Sequence, residues 1–181
     1  MRATAAADGG RPVRVLVTGG SRSGKSAHAE SLLGAESVVR YVAPGPLVDD
    51  ADWRARVAAH RLRRPSSWET HESADLAAAL ATDVPVLVDC LGTWVTRLVD
   101  DAGLWEAPIE EVTGQVEQAA REAVAAMGER VVVVTSEVGL GVVPAHRTGR
   151  VFRDLLGTVN QLFGAAVDEV HLVVAGRVLR L

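Results

Sequence analysis

The sequence predicts an α/β domain with a mostly parallel central sheet and helices on both faces. Three observations carry this. Short Val-rich runs recur along the chain without polar alternation, the pattern of strands buried on both faces. Helix-forming stretches separate them, and alternating β and α elements fold into a parallel sheet covered on both sides. The first run, Val13-Arg14-Val15-Leu16-Val17-Thr18, leads directly into Gly19-Gly20-Ser21-Arg22-Ser23-Gly24-Lys25-Ser26, a G-x-x-x-x-G-K-[ST] pattern. Strand, glycine-rich loop and helix start is the setting that makes this pattern a phosphate cradle. It specifies the P-loop NTPase-like version of a three-layer fold.

The elements follow in order. Strands are predicted at 13–18, 38–43, 84–90, 131–136 and 170–175, with a short last strand at 177–181 after the turn residue Gly176. A helix at 25–33 leaves the loop and stops before Gly34, a typical C-terminal stop. The next, 49–63, opens on Asp49 and Asp50 and ends ahead of Pro65. Acidic residues suit a helix N-terminus, and proline disfavours helix at the residue before it. Helices at 73–81, 110–127 and 147–163 complete the set. Residues 1–12 read as a flexible Ala/Gly-rich N-terminal extension, and 13–181 as a single nucleotide-binding catalytic domain, since no repeat or linker divides it.

Composition narrows the function classes. The 181 residues are 48% hydrophobic, enough for a substantial core. No apolar run approaches the roughly 20 residues of a membrane helix, and the N-terminus lacks a signal-peptide core, so membrane insertion is not expected. Cys90 is the sole cysteine, which excludes an internal disulfide and suits a cytoplasmic location. A net charge of −4 does not favour nucleic-acid binding.

Candidate chemistry gathers at three places. In the loop, Lys25 would reach the β/γ-phosphates of a nucleoside triphosphate and Ser26 would hold Mg²⁺. Asp89 ends the apolar run 84–88, where a carboxylate supplies a hard oxygen for the same metal, directly or through water. Glu137 ends the 131–136 strand ahead of Gly139 and Gly141, and is a second candidate for metal, base or substrate contact. The third place is a basic segment in which Arg54, Arg56, Arg61, Arg63 and Arg64 surround His60. On a helix Arg56 and His60 share a face, with Arg63 beside them. Such cations clamp phosphate and disfavour imidazolium, leaving His60 neutral as a general base or a nucleophile. His28, His71, His146 and His171 read as structural or surface residues. Trp53 and Trp68 flank the basic segment and read as packing anchors rather than stacking platforms. No N-K-x-D guanine-reading motif is present.

In combination these residues resemble a known family. The segment Thr18–Ser26, the run Arg56-Val57-Ala58-Ala59-His60-Arg61 followed by Arg64-Pro65 and Trp68, and Thr135-Ser136-Glu137-Val138-Gly139-Leu140-Gly141-Val142-Val143-Pro144 resemble the bifunctional adenosylcobinamide kinase/adenosylcobinamide-phosphate guanylyltransferases of cobalamin biosynthesis. Arg153-Asp154, Val159-Asn160-Gln161 and Asp168-Glu169-Val170 fit the same pattern. The resemblance implies two reactions: phosphorylation of adenosylcobinamide on its aminopropanol hydroxyl, then transfer of GMP from GTP to that phosphate through a GMP–histidine intermediate. It places His60 as the nucleophile and Lys25 as the second catalytic residue. It carries nucleotide contacts to Gly19, Gly20, Ser21, Arg22, Ser23, Gly24, Lys25 and Ser26, to Ala43, Pro44 and Gly45, to Arg61, Leu62, Arg63 and Arg64, and to Glu72 and Asp89. Metal contacts fall on Ser26 and Asp89. The ligands it implies are GTP, ATP and Mg²⁺ with a corrinoid substrate, and the assembly is a homotrimer. This chain departs from the family in having Ala59 where a second histidine often stands, Asp89 where Glu is common, and Pro44-Gly45 where a hydroxyl residue is common.

Overall fold

A computed structural model of the chain describes residues 13–45 and 64–181, with Ala58 and Arg61 between them. Seven strands form one sheet in the order β3-β2-β4-β5-β1-β6-β7. They are β1 (Arg14–Gly19), β2 (Arg40–Val42), β3 (Glu69–His71), β4 (Val86–Asp89), β5 (Val131–Val134), β6 (Glu169–Val174) and β7 (Arg177–Arg180). Every pairing is parallel except β6 with β7. The helices are α1 (Lys25–Leu32), α2 (Leu76–Leu80), α3 (Leu91–Ala102), α4 (Ile109–Ala125) and α5 (Arg147–Gly164).

The valine runs do what their pattern requires. Side chains alternate between the faces of a strand, so Val131 and Val133 enter one core and Val132 and Val134 the other. β4 splits the same way, with Val86 and Val88 on one side and Leu87 opposite. The larger core lies under α2 to α5 and centres on Trp94, Leu155, Leu156 and Phe163. The smaller core holds Ala29 and Leu33 from the α1 region, with Tyr41 and Trp68. Trp94 is anchored twice: its ring meets Phe163 edge-on, centroids 6.4 Å apart, and its Nε1 donates to Ala74 O at 2.8 Å. Burying a side chain of the Val or Leu class contributes about 1.5–3 kcal/mol each, so these two cores outweigh any single polar contact.

Two elements were not legible in sequence. α3 contains Gly92, Thr93, Val95, Thr96 and Val99, residues of modest or poor helix propensity. It forms because Leu91, Trp94, Val95 and Val99 lie on one apolar face against the core, and packing overrides propensity. β3 is an exposed edge strand with no apolar alternation, formed through its parallel ladder to β2. Of the predicted 49–63 helix, Ala58 and Arg61 are described and both are helical. The predicted extension 1–12 and residues His60, Leu62, Arg63, Arg54, Arg56 and Trp53 lie outside the described residues.

The β6–β7 hairpin turns through Ala175 and Gly176, with φ 49° and 75°, between the paired residues Val174 and Arg177. A two-residue hairpin turn of this kind needs left-handed backbone at both positions, where Asn-Gly is the favoured pair. Alanine is strained there by roughly 1–2 kcal/mol. Ala175→Asn is therefore expected to raise the thermal midpoint by about 2–4 °C, measurable by circular dichroism, with no change in activity.

Candidate active site

Parallel strands bring their carboxyl ends to one edge of the sheet, and ligands of open α/β sheets bind in the crevice beyond that edge. Here that edge carries the glycine loop after β1, Ala43–Gly45 after β2, Glu72 after β3, Asp89 at the end of β4 and Glu137 beyond β5. The ladder fixes their order: Val42 pairs with His71 and with Val88, and Asp89 pairs with Val134. Past the regular ladder, Thr135 N donates to Val17 O at 2.9 Å and Glu137 N to Gly19 O at 3.2 Å, which ties the β5 exit to the start of the loop.

The loop's geometry depends on its glycines. A Cβ on Gly19 would stand 2.4 Å from Val173 O and 2.7 Å from Ser23 Oγ, so no other residue fits there. Gly24 takes φ 97° and caps α1 without any side-chain acceptor. The first-turn N–H groups of α1 therefore have no capping side chain, the arrangement that suits an anion at a helix N-terminus. Lys25 is only 8% exposed, and its Nζ donates to Gly20 O at 3.0 Å. Its ammonium lies against the loop. A Cβ on Gly20 would meet nothing within 4 Å, so the loop is open on that side. Ser21, Arg22 and Gly24 are exposed, Ser23 is buried and Ser26 is half-buried.

Asp89 is joined to the basic segment through a residue that sequence reading missed. Tyr41 Oη donates to Asp89 Oδ2 at 3.0 Å, and the Arg64 guanidinium lies 3.6 Å from the centre of the Tyr41 ring. Burial, with the Asp89 carboxylate beside it, pushes the Tyr41 phenol well above its ordinary range, so it remains a donor. The only sequence signal was a lone tyrosine in a strand, which reads as packing. Arg61 pairs with Glu72 at 2.9 Å, both largely exposed, a contact worth little energy at the surface but one that places two predicted nucleotide contacts side by side. Arg97 Nη1 donates to Gly45 O at 3.2 Å and holds the turn after β2. Cys90, next to Asp89, is kept as the thiol because burial raises its pKa.

The segment after β5 is held from α5. Thr135 Oγ1 donates to Asn160 Oδ1 at 2.6 Å, Asn160 Nδ2 donates to Ser136 O at 3.2 Å, and Arg153 Nη2 donates to Gly139 O at 2.7 Å. Glu137 Oε1 accepts from Gly139 N at 2.7 Å, which folds the carboxylate onto its own loop. Leu140 and Val142 project outward. Trp68 is buried in the smaller core, as a packing anchor would be. His71 and His146 are exposed, whereas His171 is fully enclosed and bonded to His28.

The residues fit a magnesium–triphosphate ligand. Mg²⁺ takes hard oxygens, keeps several waters and needs only one or two protein ligands beside the phosphates. At the carboxyl edge Ser26 carries a hydroxyl and Asp89 a carboxylate, and among the described residues no cluster of three or more His, Cys, Asp or Glu is present.

Fold and loop together define the class: an α/β protein of the P-loop NTPase type. The cobinamide kinase/cobinamide phosphate guanyltransferase family matches residues 15–181. The chain is 41% identical over 174 residues to the bifunctional adenosylcobalamin biosynthesis protein CobU of Salmonella typhimurium, covering 90% of this chain and 96% of that protein. Identity to CobU of Escherichia coli is also 41%, with the same coverage, and to CobP of Pseudomonas aeruginosa 37%, over 91% of this chain and 94% of that protein. Among solved structures, an ATPase of the type III secretion system of pathogenic bacteria aligns with a TM-score of 0.54 at 11% identity. That alignment covers 90% of this chain and 51% of the ATPase, so the chain spans about half its length and the likeness shows the fold alone. The chain belongs to the cobinamide kinase/cobinamide phosphate guanyltransferase family. It is a bifunctional adenosylcobinamide kinase and guanylyltransferase, producing adenosylcobinamide-GDP. No helix among the described residues is long and apolar enough to cross a membrane.

Proposed function

We propose that one nucleotide site at the carboxyl edge of the sheet serves both reactions, and that in the second His60 carries GMP from GTP to adenosylcobinamide phosphate. The observation that carries this reading is the loop: a glycine-dependent turn, an N-terminus of α1 without a side-chain cap, and a buried Lys25 within it. Gly19, Gly20, Ser21, Arg22, Ser23 and Gly24 form the cradle, and Lys25 contacts the β- and γ-phosphates of GTP or ATP. Ser26 and Asp89 hold Mg²⁺, which when bound offsets the charge of the phosphate oxygens. Ala43, Pro44, Gly45, Arg61, Leu62, Arg63, Arg64 and Glu72 contact the nucleotide, a set supported by family resemblance and, for Arg61 with Glu72, by their pairing.

In the kinase step the substrate hydroxyl oxygen attacks the γ-phosphorus, the bond to the β-phosphate oxygen breaks, and the hydroxyl proton passes to a carboxylate, Asp89 or Glu137. In the transferase step a neutral His60 nitrogen attacks the α-phosphorus of GTP, and pyrophosphate leaves toward Lys25. The arginines stabilise charge on the α-phosphate, an electrostatic contribution that is large in a water-poor site. An oxygen of adenosylcobinamide phosphate then attacks the phosphoramidate, the N–P bond breaks and His60 is regenerated. By the same resemblance the enzyme assembles as a homotrimer, which light scattering would test.

Turnover of adenosylcobinamide with GTP, followed by mass, tests the reading. Adenosylcobinamide phosphate should form first and the GDP adduct second, with pyrophosphate released. Accumulation of the phosphate alone would leave only a kinase. Tyr41 gives a sharper probe of Asp89. Groups that orient a metal-bound carboxylate typically affect metal affinity by about 10–100-fold. Tyr41→Phe, which loses only the hydroxyl, is expected to raise the Mg²⁺ concentration for half-maximal activity about tenfold at saturating nucleotide. An unchanged Mg²⁺ titration would separate Asp89 from the metal.

A further inference from the structure

His171 is the one histidine among the described residues that is fully enclosed, at 1% exposure in the middle of β6. Its Nε2 lies 2.7 Å from Glu169 Oε2, and its Nδ1 lies 2.9 Å from His28 Nε2. An ionised carboxylate only accepts, so His171 donates from Nε2, and a single proton lies between its Nδ1 and His28 Nε2. Arg180, paired with His171 across the β6–β7 ladder, stands 3.9 Å from Glu169 and completes the group. Burial lowers the His28 pKa, with His171 and then Arg180 adding to the effect, which keeps His28 neutral.

This chain of bonds joins β6 to α1 one turn beyond Lys25, and it is not the only tie between them. Gly176 N, in the β6–β7 turn, donates to Ser23 O at 2.9 Å. Gly19 backs directly onto Val173 O, and Gly24 faces the Gly176 Cα. The start of the phosphate loop, its centre and the first turn of its helix therefore all rest on the same C-terminal hairpin. We propose that this hairpin sets the position of the phosphate loop, and that His171 and His28 are positioning residues for nucleotide binding in both reactions. The proposal rests on the reading that residues 19–26 hold the triphosphate. Without the histidine bond α1 keeps its apolar contacts through Ala29 and Leu33, but the turn carrying Lys25 and Ser26 loses its polar anchor. A looser cradle weakens ground state and transition state alike, which raises KM and leaves kcat nearly unchanged.

The test uses the full-length enzyme and a fluorescent GTP analogue. His171→Phe keeps an aromatic ring, slightly larger, and removes both nitrogens. His28→Leu breaks the same bond from a half-exposed position less critical to folding, and His28→Gln keeps an amide N–H where Nε2 stood. Loss of one buried hydrogen bond predicts roughly fivefold weaker binding of the analogue in His171→Phe and His28→Leu. KM for nucleotide should rise in parallel in both reactions, kcat should stay within roughly twofold, and His28→Gln should bind as the wild type does. Folded His171→Phe and His28→Leu proteins that bind as tightly as wild type, losing only thermal stability, would overturn the proposal. So would a His28→Gln variant as weak as His28→Leu. Lys25→Ala separates the two readings. If it loses affinity while the histidine variants do not, only the positioning role fails; if Lys25→Ala also binds normally, the loop assignment fails and the proposal with it.

Discussion

His60→Ala is expected to carry no GMP and to transfer GMP at least about a thousandfold more slowly, the scale on which removal of a covalent nucleophile acts, while phosphorylation of adenosylcobinamide continues. The asymmetry follows from the chemistry. A neutral imidazole displaces pyrophosphate without adding a second anion at the α-phosphorus, and the substrate phosphate attacks only after pyrophosphate has left, which splits one difficult step into two easier ones. The kinase step involves a neutral hydroxyl and needs no such intermediate. Ala59 leaves no neighbouring histidine to substitute. The measurement is incubation with α-labelled GTP and Mg²⁺: wild type should hold an acid-labile, base-stable label, and His60→Ala none. A label retained in the variant would falsify the assignment. Loss of both activities together would instead point to the basic segment as a nucleotide clamp, the role suggested for its described arginines by the Arg61–Glu72 pair and by Arg64 over Tyr41.

Lys25→Ala is the second large effect, and its signature is the opposite one. On the proposal that one loop serves both reactions, both rates should fall together, by about 10²–10³-fold, the usual result of deleting one preorganised electrostatic group. Lys25 is almost fully buried and is the only lysine in the sequence, so no other lysine can replace it. Its Nζ already sits against Gly20 O, so a triphosphate meets a charge held in place rather than one that must be recruited from solvent. Steady-state rates of each half-reaction, measured separately, check it. A variant that lost only one activity would require two distinct nucleotide sites.

The contrast between these variants parallels what could be read at each level. The sheet was legible because its strands are buried on both faces, so that Val131-Val132-Val133-Val134 must be apolar throughout and announces itself. The loop was legible because Gly19 and Gly24 are demanded by backbone geometry and Lys25 by charge. α3 was not, because its helical state comes from the packing of Trp94 and Val95 rather than from propensity. β3 was not, because an exposed edge strand has no apolar pattern to show. Tyr41 gave no functional signal, since a strand tyrosine looks the same whether its hydroxyl meets water or Asp89. His171 was read with the surface and structural histidines, because nothing in the local sequence tells of partners supplied by α1 and by its own strand.

By itself the sequence determined the fold class, the glycine turn after β1 and the family, because each is written in local spacing: the period of burial, the glycines of a turn, and residue runs shared with relatives. Only the tertiary structure decided what holds the loop in place and what stands behind Asp89. Those contacts join β6 to α1 and β2 to β4. Hydrogen bonds between residues far apart in the chain depend on strand order and register, which no local pattern encodes.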